Sequence, residues 1–165
     1  MRIPRLSKGF TLFELLVVIG IIGLLSTLAV VALTSVRQKT RDAKRVADVR
    51  SIRYALELYF NDQNTYPSHG SGANIILGGA NSRTLCGGTA SGASGWKASC
   101  ASGDTVYMGL VPAASVPADG SCSDAQNDFT YIQTSTTAYT LNFCIGGAVG
   151  ELAGGARVAN PDGMQ

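Results

Sequence analysis

Residues 8–36 read KGFTLFELLVVIGIIGLLSTLAVVALTSV, and the reading of this stretch decides the fold. Residues 12–33 are long enough, at about 1.5 Å per residue, to cross a hydrocarbon core of roughly 30 Å as a helix. A secretory signal peptide removed behind its apolar core needs small residues in an A-x-A-like arrangement. Here Ala29 and Ala32 stand three apart and Thr34 and Ser35 follow, which is poor spacing for such a site. Glu14 weighs more. A carboxylate near the bilayer interior costs roughly 2.5–3.5 kcal/mol on insertion scales. A plain anchor gains nothing from it, so the acid implies a partner.

Upstream lies a short basic segment with Arg2, Arg5 and Lys8. The run Lys8-Gly9-Phe10-Thr11-Leu12-Phe13-Glu14, followed by the long apolar stretch, resembles the prepilin cleavage motif of the type IV pilin family and its type II secretion pseudopilin relatives. The resemblance extends from Met1 to about Pro67. It implies that a prepilin peptidase cuts after Gly9 on the cytoplasmic side and that Phe10 becomes the N-methylated first residue, an N-methylphenylalanine. It also implies that Glu14 is the acid that sets register during assembly. The physics suits these roles. Gly9 offers no side chain to obstruct a protease, and the cut creates a positive amine on Phe10. In a filament, Glu14 of one subunit can neutralise that amine on a neighbour, offsetting desolvation and penalising wrong axial registers. Many family members carry a helix-breaking proline at the place of Val31. This chain has Gly20 and Gly23 instead, so any melting of the stem is expected nearer those glycines.

The basic flank continues with Arg37, Lys39, Arg41, Lys44, Arg45, Arg50 and Arg53. Counted alone, these cations would place the C-terminal part in the cytoplasm by the positive-inside rule. The cleavage motif and the cysteines argue for the opposite orientation, with the flank as one face of a continuing helix. No Pro or Gly occurs from Ser35 to Asn61, and Val46, Val49, Ile52, Leu56 and Tyr59 recur every three or four residues. That spacing predicts an amphipathic helix with one apolar stripe, with Lys44–Asp48 and Arg53–Glu57 paired four apart on its polar side. Turn formers from Asn61 to Thr65, then Pro67, end it.

The expected fold is α+β. One long N-terminal helix spans the membrane with its first half and packs its second half on a small antiparallel sheet, as in pilins. The chain divides into a leader (1–9), a transmembrane or filament-core helix (10–36), an amphipathic head helix (37–62), a Gly/Ser-rich loop region (63–105), and a sheet with a C-terminal tail (106–165). Residues 68–105 have a composition that barely supports a core. Beyond them, Phe129–Ile132 and Tyr139–Cys144 alternate as a hairpin. The order Val116-Pro117-Ala118-Asp119, then Phe129-Thr130-Tyr131 and Tyr139-Thr140-Leu141, resembles the C-terminal sheet of major pseudopilins. The Gly/Ala-rich tail from Gly146 reads as extended.

Cys86, Cys100, Cys122 and Cys144 form no C-x-x-C pair, and the single histidine, His69, is remote from them in sequence, so zinc is a poor reading. Two disulfides in an oxidising compartment fit better. Four cysteines allow three connectivities. Cys86–Cys100 with Cys122–Cys144 closes the shorter loops and is preferred. His69 reads as a solvated surface residue. Some pseudopilin relatives bind calcium before their last strands. The candidate ligands here, Asp119, Asp124 and Asp128, lack EF-hand spacing.

The formal net charge of +2 does not argue for nucleic acid. Beyond Arg53 the only basic residues are Arg83, Lys97 and Arg157, against eight acids from Glu57 to Asp162, giving a basic stem and an acidic head. No Walker loop, G-x-S-x-G elbow or other catalytic constellation occurs, which points away from an enzyme. The leading expectation is a structural subunit of a type IV pilus-like filament for adhesion, motility or DNA uptake. Its expected partners are copies of itself, a prepilin peptidase, assembly platform proteins, an ATPase and the cytoplasmic membrane. Nucleic acid enters only through DNA uptake. It sits single-pass with the head outside before assembly and in an extracellular pilus or pseudopilus afterwards. The alternatives are a major pseudopilin of a type II secretion system and a membrane-tethered binding module that never polymerises.

Overall fold

A computed structural model describes residues 9–68, 74–88 and 95–165. The leader up to Lys8, His69 and parts of the Gly/Ser-rich segment lie outside the described residues. The chain divides after Arg37 into two compact units.

A single helix, α1, runs from Leu12 to Gln63 without a break at Val31. It is the one described helix long and apolar enough to cross a membrane. It stops where Asn64 adopts φ +53° and donates its amide to the Phe60 carbonyl at 2.8 Å, a left-handed residue closing the last turn.

In the unit from Gln38 onward, α1 turns Val46, Val49, Ile52, Ala55, Leu56 and Tyr59 inward. They pack on a five-stranded antiparallel sheet of order β1-β5-β6-β7-β8, formed by Ile75–Ile76, Thr130–Ser135, Ala138–Ile145, Gly155–Asn160 and Gly163–Met164. Alternate residues of the β5–β6 hairpin, including Tyr131, Tyr139, Leu141 and Phe143, supply the facing side of the core. Aromatic contacts knit the two layers, with Tyr66 edge-on to Tyr139 at 4.7 Å. Burial pushes the Tyr139 phenol up to about 12.

One expectation needs correction. The Gly/Ser-rich region is not merely loop. Thr84–Gly87 (β2), Gly95–Lys97 (β3) and Thr105–Met108 (β4) form a second antiparallel sheet of order β3-β2-β4. It buries Leu85 and Trp96 in the same core, with Trp96 edge-on to Tyr131 at 5.3 Å. The tail, expected to be extended, is paired into the main sheet. Strand β7 pairs with β6 from Leu141–Ala159 to Ile145–Gly155, and β8 folds back on β7.

Two disulfides staple the head, Cys86–Cys100 (Cα–Cα 5.7 Å) and Cys122–Cys144 (5.9 Å), the pairing that closes the shorter loops.

Candidate assembly site

Gly9, Phe10 and Thr11 are exposed and non-helical, and α1 begins immediately after them. The expected cut therefore falls in open backbone that a protease can thread in extended form. Phe10 and Phe13 are exposed, as is every apolar side chain from Leu12 to Val36. A surface of this kind is stable in water only when something covers it. Gly20 and Gly23 are helical with open space where a Cβ would lie. Ser26, Thr27 and Thr34 return their hydroxyls to the carbonyls of Ile22, Leu24 and Val31 at 2.7–2.8 Å, so their polarity is satisfied within the helix.

Glu14 has a local partner that sequence reading missed. The Thr11 amide and hydroxyl donate to Glu14 Oε2 at 2.9 and 3.0 Å, and the Glu14 amide donates to Thr11 Oγ1 at 3.2 Å. This is a reciprocal capping box, Thr-x-x-Glu, at the start of α1. The signal was in the sequence, because Thr11 stands three residues before Glu14 and directly precedes the apolar run. The box gives the carboxylate donors while the chain is a monomer. Glu14 thus starts the helix and also carries the charge that a neighbour's Phe10 amine would meet.

A second cluster lies where α1 enters the head. Arg45 is fully buried. Its Nη1 donates to Asp42 Oδ1 at 2.7 Å and Asp119 Oδ2 at 2.9 Å, and its Nη2 to the carbonyls of Ser115 and Pro117 at 2.6 and 2.7 Å. Arg41 closes a bidentate pair on the same Asp119. Arg41 foremost, and then Arg45, hold the Asp119 carboxyl below its ordinary range against the opposing effect of burial. Asp42 in turn accepts the amides of Gly146 and Gly147, each at 2.9 Å. A buried guanidinium and two buried carboxylates survive because each meets charge and hydrogen bonds together. Gly120 is required beside this cluster. It has φ +60°, and a Cβ there would fall within 2.8 Å of Gly146 Cα.

The three acids considered as calcium ligands are therefore not one site. Asp119 faces Arg41 and Arg45, while Asp124 begins the short helix α2 (Asp124–Asn127) and Asp128 caps its end. Among the described residues no group of three metal-ligating side chains converges. The basic flank is divided too. Arg41 and Arg45 turn into the head, and Arg53 donates to the carbonyls of Asn160 and Pro161 at 3.1 Å rather than pairing with Glu57. Glu57 accepts the Tyr66 hydroxyl at 3.0 Å instead. Lys44 makes no ion pair with Asp48 in the structure, although its charge draws the Asp48 carboxyl down against the stronger upward push of burial.

Comparison with known proteins agrees with the N-terminal geometry. Residues 4–30 match the family model described as the prokaryotic N-terminal methylation motif. The chain is similar to the type II secretion system core protein G of Pectobacterium carotovorum subsp. carotovorum, with 40% identity over 71 residues, 43% of this chain and 46% of that protein. It is also similar to the core protein G of Aeromonas hydrophila, with 37% identity over 73 residues, 44% of this chain and 51% of that protein. The chain thus spans about half the length of the curated relatives it matches. No solved structure matches it. A methylation motif ahead of an unbroken apolar helix, that helix packed on antiparallel sheets, and likeness to core protein G are features the chain shares with the type IV pilin and type II secretion pseudopilin family.

Proposed function

We propose that this chain is a pseudopilin, a structural subunit of the filament of a type II secretion-like machine. The observation that carries the reading is the likeness to two core G proteins of type II secretion systems. It moves the secretion filament ahead of the surface pilus that the sequence alone put first. The precursor waits in the cytoplasmic membrane with its head outside, where an oxidising compartment forms Cys86–Cys100 and Cys122–Cys144. A prepilin peptidase cuts after Gly9 and Phe10 is methylated. An assembly platform and an ATPase then lift the subunit into a helical filament. The driving contact is the exposed apolar face of residues 12–36, which leaves lipid to pack on the stems of other copies.

Deletion of the gene in its own host tests the choice of filament. The expected result is loss of secreted folded proteins from the medium, with surface pili unchanged. Normal secretion together with lost surface pili would return the pilus reading to first place.

A further inference from the structure

We propose that the turns of α1 just beyond its apolar run form a cationic collar, Arg37, Lys39 and Lys44, that docks on the anionic phospholipid headgroups of the bilayer the stem spans. The proposal needs the apolar run in a membrane and holds for either kind of filament.

In sequence the stretch after Val36 mixes signs, since Asp42 and Asp48 stand among the cations. Folding sorts them. Asp42 is buried, held by Arg45 and by the amides of Gly146 and Gly147. Asp48 is half-buried, with Oδ2 shut away from solvent. Arg41 and Arg45 are turned onto Asp119. Arg37, Lys39 and Lys44 are left exposed, and none of them makes an ion pair among the described residues. The exposed charges of α1 from Arg37 to Lys44 are therefore all positive. The exposed acids of the head sit on other stretches. Glu57 and Asp62 lie in the last turns of α1, Asp124 on α2, Glu151 beside Arg50 and Arg157, and Asp162 between β7 and β8.

The spacing singles out a bilayer over one protein neighbour. At 3.6 residues per turn, Lys39 and Lys44 point about 140° apart around α1, and Arg37, two turns before Lys44, returns to the Lys44 side. Cations on different sides of a helix cannot all meet one acidic patch that approaches from one direction. A surface that surrounds the helix meets every one of them. Depth agrees with this. Arg37, Lys39 and Lys44 follow Val36 by about 1.5, 4.5 and 12 Å of helix rise. The first two fall within a Debye length of about 10 Å, and Lys44 stands at its edge. Long basic side chains lay their stems along apolar surface and extend their charge to the interface. Each cation so placed strengthens attachment to an anionic leaflet by roughly fivefold. Cations that run against the positive-inside rule thereby gain a partner on the side where the head sits.

The full chain, reconstituted in nanodiscs of equal parts phosphatidylcholine and phosphatidylglycerol, tests the collar. The readout is which lipids stay bound when the chain is transferred to detergent and weighed by native mass spectrometry. Wild type should retain phosphatidylglycerol over phosphatidylcholine by about tenfold or more, and the preference should fall as salt rises. The triple variant R37Q/K39Q/K44Q should lose most of it. The charge-conserving variant K39R/K44R should keep it, as should Arg83→Gln, which removes an exposed cation outside the collar. Equal retention of both lipids by wild type, an unchanged preference in the triple variant, or as large a loss in Arg83→Gln would overturn the docking. A wild type without lipid preference whose triple variant assembles poorly would assign the cations to a neighbouring subunit instead, and overturns it too. The nanodisc holds no assembly machinery, so failure there leaves the filament reading intact.

Discussion

Glu14 has one observed role, as a helix cap, and one proposed role, as the acid that sets register in a filament. As the last residue of the Thr-x-x-Glu capping box it holds Thr11 and starts α1. As a carboxylate it can neutralise the Phe10 amine of another subunit. Glutamine keeps the capping geometry and loses the charge. Glu14→Gln should therefore keep α1 and membrane insertion yet lose filaments, measured by electron microscopy of filament fractions. Filaments at wild-type level from this variant would reduce Glu14 to a helix cap. The two roles were unequally legible in the sequence. The intramembrane charge was plain because hydropathy makes it costly. The cap was less legible, because the cost of the charge points first to a cation on a neighbouring subunit and Thr11 is only a neutral donor three residues away.

At the scale of elements, what could be read followed from periodicity. The stripe from Val46 to Tyr59 and the β5–β6 hairpin carry their own patterns, and both formed as expected. Strands β2, β3 and β7 do not. The β7 sequence GARVAN has no apolar alternation of its own, and its place is fixed by the backbone edge that β6 offers. The three-stranded sheet likewise depends on ladder hydrogen bonds and the 86–100 disulfide more than on composition. The buried Arg45 was also hidden, because in sequence it is one cation among seven on the flank. Its surroundings lie some 70 residues downstream, at Ser115, Pro117 and Asp119.

That cluster makes a prediction about helix and head together. Arg45→Met leaves two buried carboxylates short of a partner and should destabilise the head by about 3–5 kcal/mol, seen as a lower melting temperature of the full chain in detergent. A pH dependence accompanies it. The folded Asp119 carboxyl lies below its ordinary value near 3.8, so its contribution is present above that value. It is lost as pH falls through the still lower folded value, because the unfolded chain takes up the proton first. Acid melts of wild type should steepen below this point, and Asp119→Asn, already weaker, should show a shallower acid limb.

For the whole molecule, the decisive property is an apolar helical stem with no cover within the subunit, attached to a head that is well packed on its own. Every described apolar side chain from Leu12 to Val36 is exposed, while the core of the head is closed by α1, two sheets and two disulfides. On the proposed filament reading, such a chain exchanges one apolar environment for another, lipid for neighbouring stems, and the head goes through the exchange intact. The charge pattern agrees, since eight acids lie beyond Arg53 and, apart from Arg83, the exposed cations among the described residues lie along α1. Fold class was therefore legible from one stretch near the N-terminus, and the proposed filament chemistry rests on the same stretch. The choice between secretion filament and pilus was not, because both use the same stem.

The central claim is that this chain is processed at Gly9–Phe10 and polymerises through the end so created. Intact-mass and peptide mass spectrometry of the protein recovered from assembled filaments tests it most directly. The account predicts a mature chain that begins at Phe10, carries one methyl group on its amine, and retains the whole apolar run with both disulfides. A chain that still begins at Met1, or one cut beyond Val36, would contradict it.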